Sequence, residues 1–347
     1  MNNSTTNITV DCLGDSDVFK IVSVVLYAVI FVVSLFGNIL VIFVVYRNKS
    51  LRNSTNYFIV NMSVSDLFIP ILVIPRVIKE IARGSMAWDI SGLTGEILCK
   101  TVFFLSDATP LVSILSLVCI SCDRFCAVMF PLRNKTYIPR SVLIALTWII
   151  SFGVLAPYFY TFRLTDNDGE IYCYLSWSPA FDQVKTHKAY ATFTIVTFII
   201  IPFFMLSFIY LVISILLINQ KVIGDLRSEK GRAMRNRKTR TVVKLAFTIV
   251  LASALCFGPY GVLLLLLAFK FQFEVPEDCT WRLCWSVAQF LAYSNAAVNP
   301  TIYFIYVQNY KKELKRILSY MSRPFSGNTG ATRLVAAGAE QLEMKEL

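Results

Sequence analysis

Ionisable and amide side chains set inside long apolar stretches are the residues of this chain that can do chemistry. Asp66 is the single charged residue between Tyr57 and Pro75. An aspartate at the centre of a membrane helix costs roughly 2.5 to 3.5 kcal/mol on insertion scales, so it needs partners. Ser113, Asn295 and Asn299 fall at similar depth in other apolar stretches. A carboxylate, a hydroxyl and two amides can surround a small cation such as sodium, or close a hydrogen-bond network without an ion. Asp123-Arg124 ends another apolar stretch. Adjacent opposite charges can hold a guanidinium in place until a partner offers better contacts, and they also suit a plain interfacial anchor. Asn299-Pro300-Thr301-Ile302-Tyr303 lies deep inside the stretch from Leu283 to Tyr310. Proline removes a backbone hydrogen bond and clashes with the preceding turn, which marks a hinge, and a buried asparagine must find polar partners. No nucleophile, base and acid combine into a catalytic set, so the chain does not read as an enzyme. His187, the single histidine, reads as an interfacial residue, and no metal-site spacing surrounds it.

The elements that must position these residues are membrane helices. The 347 residues are 56% hydrophobic, 14% aromatic and only 16% charged, and the mean hydropathy is positive. A soluble domain could not cover that composition with polar surface. Ile21 to Tyr46, Tyr57 to Pro75, the stretch from Thr101, Ser141 to Phe162, Ala189 to Gln220, Leu245 to Phe269 and Leu283 to Tyr310 are each long enough to cross a bilayer. The fold class that follows is all-α: a seven-transmembrane helix bundle over residues 21–310. After Tyr310, charged and apolar residues alternate at helical spacing, which predicts a short amphipathic interfacial helix over 311–322. Residues 1–20 read as an exterior N-terminus and 323–347 as a disordered cytoplasmic tail. No internal repeat stands out.

Lysine and arginine collect beside helix ends on the cytoplasmic side. One side carries Arg47, Lys49 and Arg52, then Arg133, Lys135 and Arg140, then nine Lys or Arg between Lys221 and Lys244. The other side mixes Arg76, Lys79 and Arg83 with acids, which places the N-terminus outside the cell in the plasma membrane. The net charge of +11 is then mostly topology, suited to anionic lipid or a cytosolic partner rather than nucleic acid. The first 20 residues lack the order of a cleavable signal, so the first span serves as signal anchor. Asn2, Asn3 and Asn7 head glycosylation sequons on the outer side. Asp166-Asn167-Asp168-Gly169 predicts a turn between Tyr158 to Leu164 and Glu170 to Leu175, giving a hairpin lid. Cys99 and Cys173 can join that lid to the third helix. Among Cys12, Cys279 and Cys284, a bond from Cys279 to Cys284 competes with Cys12 pairing to either.

These residues in this order resemble the rhodopsin-like, class A G-protein-coupled receptors, and most closely the neuropeptide receptor group. The likeness rests on Gly37-Asn38, the run Asn61 to Leu67, Cys99, Asp123-Arg124-Phe125, Trp148, Pro202, Tyr210, Cys256-Phe257-Gly258-Pro259-Tyr260 and Asn299-Pro300-Thr301-Ile302-Tyr303. The resemblance implies a receptor for an extracellular ligand that activates a heterotrimeric G protein. Asp123, Arg124, Tyr210, Phe257, Pro259, Asn299, Pro300 and Tyr303 would form its activation switch as the sixth helix swings outward about Pro259. Phe257, Phe125 and Ser253 depart from the usual Trp, Tyr and Phe, and Lys238-Thr239-Arg240 offers no acid to pair with Arg124.

The same resemblance frames the ligand. A retinal pigment needs a lysine in the seventh span, and Tyr293 stands at the matching place. An amine receptor would carry an aspartate seven residues after Cys99. That residue is Ser106, and Asp107 is one step on, a rotation of about 100° around the helix. A basic or C-terminally amidated neuropeptide fits the acidic outer loops and an aromatic upper bundle with Tyr260, Trp285 and Tyr293. Ser106, Asp107, Tyr260, Trp285 and Tyr293 are the candidate ligand contacts. No cofactor is expected beyond a sodium ion as modulator. Tail hydroxyls such as Ser319, Ser322, Ser326, Thr329 and Thr332 offer phosphosites for arrestin, and bases such as Arg232, Arg235, Arg237, Lys238 and Arg240 form a third cytoplasmic loop facing the G protein or lipid. A seven-helix channel or transporter is the remaining class, set against the lack of repeats and the few ionisable residues.

Overall fold

The computed structural model describes residues 16–129, 138–219, 229–276 and 278–321. The chain divides into two compact units, Met1–Val307 and Gln308–Leu347. The first is a bundle of seven helices. Helix α1 is Asp17–Arg47, and α2 runs from Ser54 to Arg83. Helix α3 is Gly92–Met129, α4 is Arg140–Leu155, and α5 runs from Gln183 to Asn219. Helix α6 is Glu229–Phe269 and α7 is Cys279–Tyr306. Between α4 and α5 stands one hairpin, β1 Phe162–Asn167 with β2 Glu170–Leu175. Helix α8, Gln308–Met321, belongs to the second unit, with Lys311, Lys312, Lys315 and Arg316 exposed and Leu314 half-buried. The glycosylation sequons Asn2, Asn3 and Asn7, the expected tail and the loop residues 130–137 lie outside the described residues.

Local chemistry sets the helix boundaries. Asn53, Asp182 and Asp278 each cap a helix by accepting a hydrogen bond from a backbone amide of the first turn, that of Asn56 (3.0 Å), Lys185 (2.7 Å) and Trp281 (3.3 Å). Prolines then bend the spans. In α2 a wide turn over Ile69–Val73 contains Pro70 and is followed at once by Pro75, and in α5 a like turn over Val196–Ile200 precedes Pro202. In both, an amide bonds the carbonyl five residues back, which makes room where a proline ring would crowd a regular ladder.

Two sequence expectations are corrected. Tyr158–Thr161 is a helical turn rather than strand, and β1 starts at Phe162. The basic run from Arg232 to Arg240 is not a loop: the backbone is helical from Glu229 onward, so these residues extend α6. The seven-helix expectation holds: among the described residues, six helices are long and apolar enough to cross a membrane by length and composition alone. Helix α7, 28 residues long, is the seventh of the bundle and less apolar, since it carries Arg282, Gln289, Asn295 and Asn299.

The hinge proline in α7 explains a residue pair in α1. Pro300 has no N–H, so the carbonyl four residues back, Ala296, loses its helical donor. Asn38 Nδ2 donates to that carbonyl at 2.9 Å and to Ser34 O at 2.8 Å. The two helices approach this closely because residue 37 is glycine: a Cβ there would sit 2.9 Å from Pro300 Cγ. Deep in the bundle Asn61 joins three helices, donating to Ser116 Oγ at 2.9 Å and Thr147 Oγ1 at 3.1 Å while accepting from Trp148 Nε1 at 2.8 Å. An amide buried in hydrocarbon must be satisfied in this way.

The Asn38→Ala variant should lose about 1 to 3 kcal/mol of stability, because it strands the Ala296 carbonyl. In a Pro300→Ala background, where the helix supplies its own donor, the same substitution should cost much less. Thermal melts of the four proteins check this, and equal costs in both backgrounds would remove the proline-rescue role of Asn38.

Candidate ligand cavity and polar core

The hairpin is built by its turn. Asp168 and Gly169 both have positive φ, 54° and 84°, and the strands register with Asn167 opposite Glu170. A two-residue Asp-Gly loop of this kind matches the right-handed twist of paired strands. The hairpin is tied down at several points. A disulfide joins Cys99 at the start of α3 to Cys173, with Cα atoms 5.7 Å apart. The Trp88 amide donates to Ile171 O at 2.6 Å, and the Leu164 amide donates to Glu96 Oε2 at 3.1 Å. Phe103 stacks on Phe162 with centroids 4.4 Å apart. Nearby, Asp89 accepts from Lys79 at 3.0 Å and from Arg83 at 2.5 Å. The Lys79 hydrogen bond, helped by Arg83, holds the Asp89 carboxyl below the usual carboxylate range.

Beneath the hairpin lies a cavity of about 700 Å³ bounded by α2, α3, α5, α6 and α7. All five residues expected to meet a ligand, Ser106, Asp107, Tyr260, Trp285 and Tyr293, line it. They differ in presentation. Ser106 is buried, 7% exposed, whereas Asp107 stands open to the cavity and accepts a hydrogen bond from Tyr158 Oη at 2.6 Å. The rotation that separates Asp107 from Ser106 therefore does not turn its carboxylate away from the cavity. Tyr260 packs against Trp285 with centroids 5.3 Å apart, and Gln289 Nε2 donates to Tyr293 Oη at 3.3 Å. Gly261 is buried in the α6 wall, yet an added Cβ would meet nothing within 4 Å, so the wall is cut back there.

One cavity feature escaped the sequence reading. Arg76 and Glu80 form an ion pair inside the cavity, and the guanidinium lies 4.9 Å over the Phe103 ring. The signal was present as opposite charges four residues apart in an apolar helix. By sequence alone Arg76 reads as one of the outer bases beside Lys79 and Arg83.

Below the cavity the polar core gathers Asp66, Ser113 and Asn299. Asp66 is fully buried and accepts from Ser113 Oγ at 3.2 Å and from Asn299 Nδ2 at 2.8 Å. Asn295 is buried in the same region, but its Oδ1 accepts from Ser253 Oγ of α6 at 3.2 Å. The residue that departs from the phenylalanine pattern thus ties α6 to α7.

At the end of the bundle away from the hairpin lie further residues of the expected switch. Arg124 pairs with its neighbour Asp123 at 2.5 Å. The hydroxyls of Tyr210 and Ser121 are 2.5 Å apart, and Tyr303, fully buried, points its hydroxyl to Met62 Sδ at 3.7 Å. Thr248 and Tyr306, unnoticed in the sequence, link α6 to α7 at 3.2 Å. Pro259 stands inside α6 between Phe257 and Tyr260, two cavity-lining residues.

Cys279 is disulfide-bonded and Cys284 is a free thiol, so the expected alternative of a bond between them is ruled out. Cys12 lies outside the described residues. Without reduction, an alkylating reagent followed by peptide mass spectrometry should modify Cys284 and leave Cys279 untouched until reductant is added. Alkylation of Cys279 in the unreduced protein would contradict the bond.

Comparisons with known proteins agree with this architecture. The family model described as 7 transmembrane receptor (rhodopsin family) matches residues 37–303. A QRFP-like peptide receptor from Branchiostoma floridae is 29% identical over 308 residues, 86% of this chain and 78% of the relative. The pyroglutamylated RF-amide peptide receptor of Mus musculus is 28% identical over 307 residues, covering 84% and 69%. The melatonin receptor type 1C of Xenopus laevis is 31% identical over 298 residues, covering 84% and 66%.

Proposed function

The chain belongs to the rhodopsin family of seven-transmembrane receptors, and from that premise we propose that it binds a basic or amidated peptide outside the cell and activates a heterotrimeric G protein inside. The observation that carries the ligand class is the hairpin-roofed cavity, in which the open Asp107 carboxylate faces an aromatic wall containing Tyr260, Trp285 and Tyr293. Aromatic surface takes up apolar side chains, and a carboxylate already oriented by Tyr158 offers a charge-assisted bond to a ligand cation. The relatives named for peptides support the same reading. The basic helix ends support an orientation with the N-terminus and cavity outside and with Arg124 and the α6 extension toward the cytosol.

The coupling runs through α6. Phe257 and Tyr260 belong to the cavity wall, and Pro259 between them interrupts the backbone ladder, so a ligand pressing on this wall acts at a hinge. Below the hinge two bonds hold α6 against α7: Ser253 to Asn295, and Thr248 to Tyr306. Outward movement of α6 breaks both. Tyr210 and Tyr303 then leave Ser121 and Met62, and Arg124 exchanges Asp123 for partners in the opened cleft, where the G protein docks.

Asp66, Ser113 and Asn299 fit a sodium ion that steadies the resting arrangement. Asp66 is a carboxylate among neutral partners, and Asn299 Oδ1 is buried without a hydrogen-bond partner among the described residues. Hard cations take such oxygen donors, and a bound cation would offset the buried negative charge. Asn295 stands close by in the sequence of α7 and completes the set expected there. Arrestin at a phosphorylated tail and anionic lipid at the basic helix ends are further partners of this reading.

A second reading keeps one observation in its favour. Asp107 is open to the cavity, so a biogenic amine could use it as an anchor.

Cells expressing the chain, challenged with basic amidated peptides beside biogenic amines, should answer to a peptide with a saturable calcium or cAMP response. Arg124→Ala should keep surface expression and binding while cutting nucleotide exchange by about tenfold or more. A response to amines alone moves the ligand to the second reading, and unchanged exchange in Arg124→Ala removes the coupling role. For the cation site, agonist affinity should vary with sodium in the parent and lose that dependence in Asp66→Asn. Equal sodium sensitivity in both proteins excludes the ion.

A further inference from the structure

We propose that the Arg76–Glu80 pair is a subsite that reads a primary carboxamide on the ligand and rejects the corresponding free carboxylate. The subsite concerns ligand chemistry, and it rests on the peptide reading only for the claim that the carboxamide is a peptide terminus.

Arg76 and Glu80 stand one turn apart on the segment of α2 beyond its wide turn, both in the cavity lining. Their side chains are each 16% exposed. Phe103 fixes the guanidinium from one side, at 4.9 Å, and Arg76 Nε is buried without a hydrogen-bond partner. The pair is neutral as a unit, yet it sets strong donors beside strong acceptors. A primary carboxamide has the matching inventory, one carbonyl acceptor and two N–H donors. Its oxygen can accept from Arg76 while its nitrogen donates to Glu80, with no change of charge.

A carboxylate has only acceptors. It would gain from Arg76 but meet Glu80 as a like charge, and competing for the guanidinium would leave one of two anions unpaired in a poorly hydrated site. Asp107 adds to that penalty. Among the cavity-lining residues the charged side chains are Arg76, Glu80 and Asp107, so the cavity carries an excess negative charge and disfavours any anionic ligand end. A site whose polar groups are already committed to a pattern discriminates most strongly against the analogue that cannot repeat it.

Two fragments test the subsite without the natural ligand: N-acetyl-phenylalaninamide and N-acetyl-phenylalanine, measured on the purified full-length receptor by thermal shift against concentration. The amide should bind at least about tenfold more tightly than the acid. In Glu80→Gln, where the guanidinium loses its anion, the preference should shrink or reverse. Equal binding of the fragments, binding of neither, or a preference unchanged by Glu80→Gln overturns the proposal. The comparison in the parent protein needs no variant, so misfolding of Glu80→Gln cannot rescue it. Fragments that discriminate while amidated peptides leave cells silent would instead sink the peptide reading and keep the subsite.

Discussion

A proline in the middle of a membrane helix must have its missing hydrogen bond supplied from elsewhere, and much of this bundle is arranged around that demand. Pro300 frees the Ala296 carbonyl, Asn38 meets it, and Gly37 removes the side chain that would keep α1 at a distance. The neighbour of the proline, Asn299, turns the other way and donates to Asp66 on α2. One residue pair in α7 therefore ties α1 and α2 to the same point. Because lipid offers no water to stranded polar groups, each of these bonds is worth more to the helix than its equivalent at a soluble surface. The kink is held by side chains rather than by a continuous backbone ladder. Side-chain partners can be exchanged one at a time, whereas a backbone ladder must break together.

The two ends of the bundle use paired charge differently. Around the cavity, Arg76 pairs with Glu80 and Asp107 takes the Tyr158 hydroxyl, so each charged group is oriented before any ligand arrives. Orientation in advance lowers the cost of binding and raises selectivity. At the opposite end Arg124 is held by Asp123, its neighbour in sequence. That contact is between neighbours in the chain and needs no tertiary partner.

Legibility from sequence followed the length scale of the physics. Spans, their order and the hairpin turn were readable, because hydrocarbon thickness and the positive φ of an Asp-Gly loop act over a few consecutive residues. The Cys99–Cys173 bond was readable from its place at the lid. What could not be read was direction. Asp107 and Ser106 differ by one step on α3, and only the fold says that the carboxylate opens to the cavity while the hydroxyl is buried. The spacing of α7 places Asn295 near Asp66 in depth, but only the fold shows that its Oδ1 also takes a hydrogen bond from Ser253 of α6. The α6 extension reads as a loop in the sequence, because its polar composition hides a helical backbone.

Ser253 shows why a departure from a family pattern should be read physically. A phenylalanine there would resist motion by filling space, and its resistance would depend on close packing. A serine resists by one hydrogen bond, to Asn295 of α7. The bond is cheap to break if either group finds another partner, and costly if one is left bare in the membrane. Helix α6 in this chain is therefore restrained by a polar latch rather than by bulk. In the proposed outward movement, the readiness of α6 to move would depend on whether the groups it frees, Ser253 and Asn295 at mid-depth and Thr248 and Tyr306 below, find water or new partners.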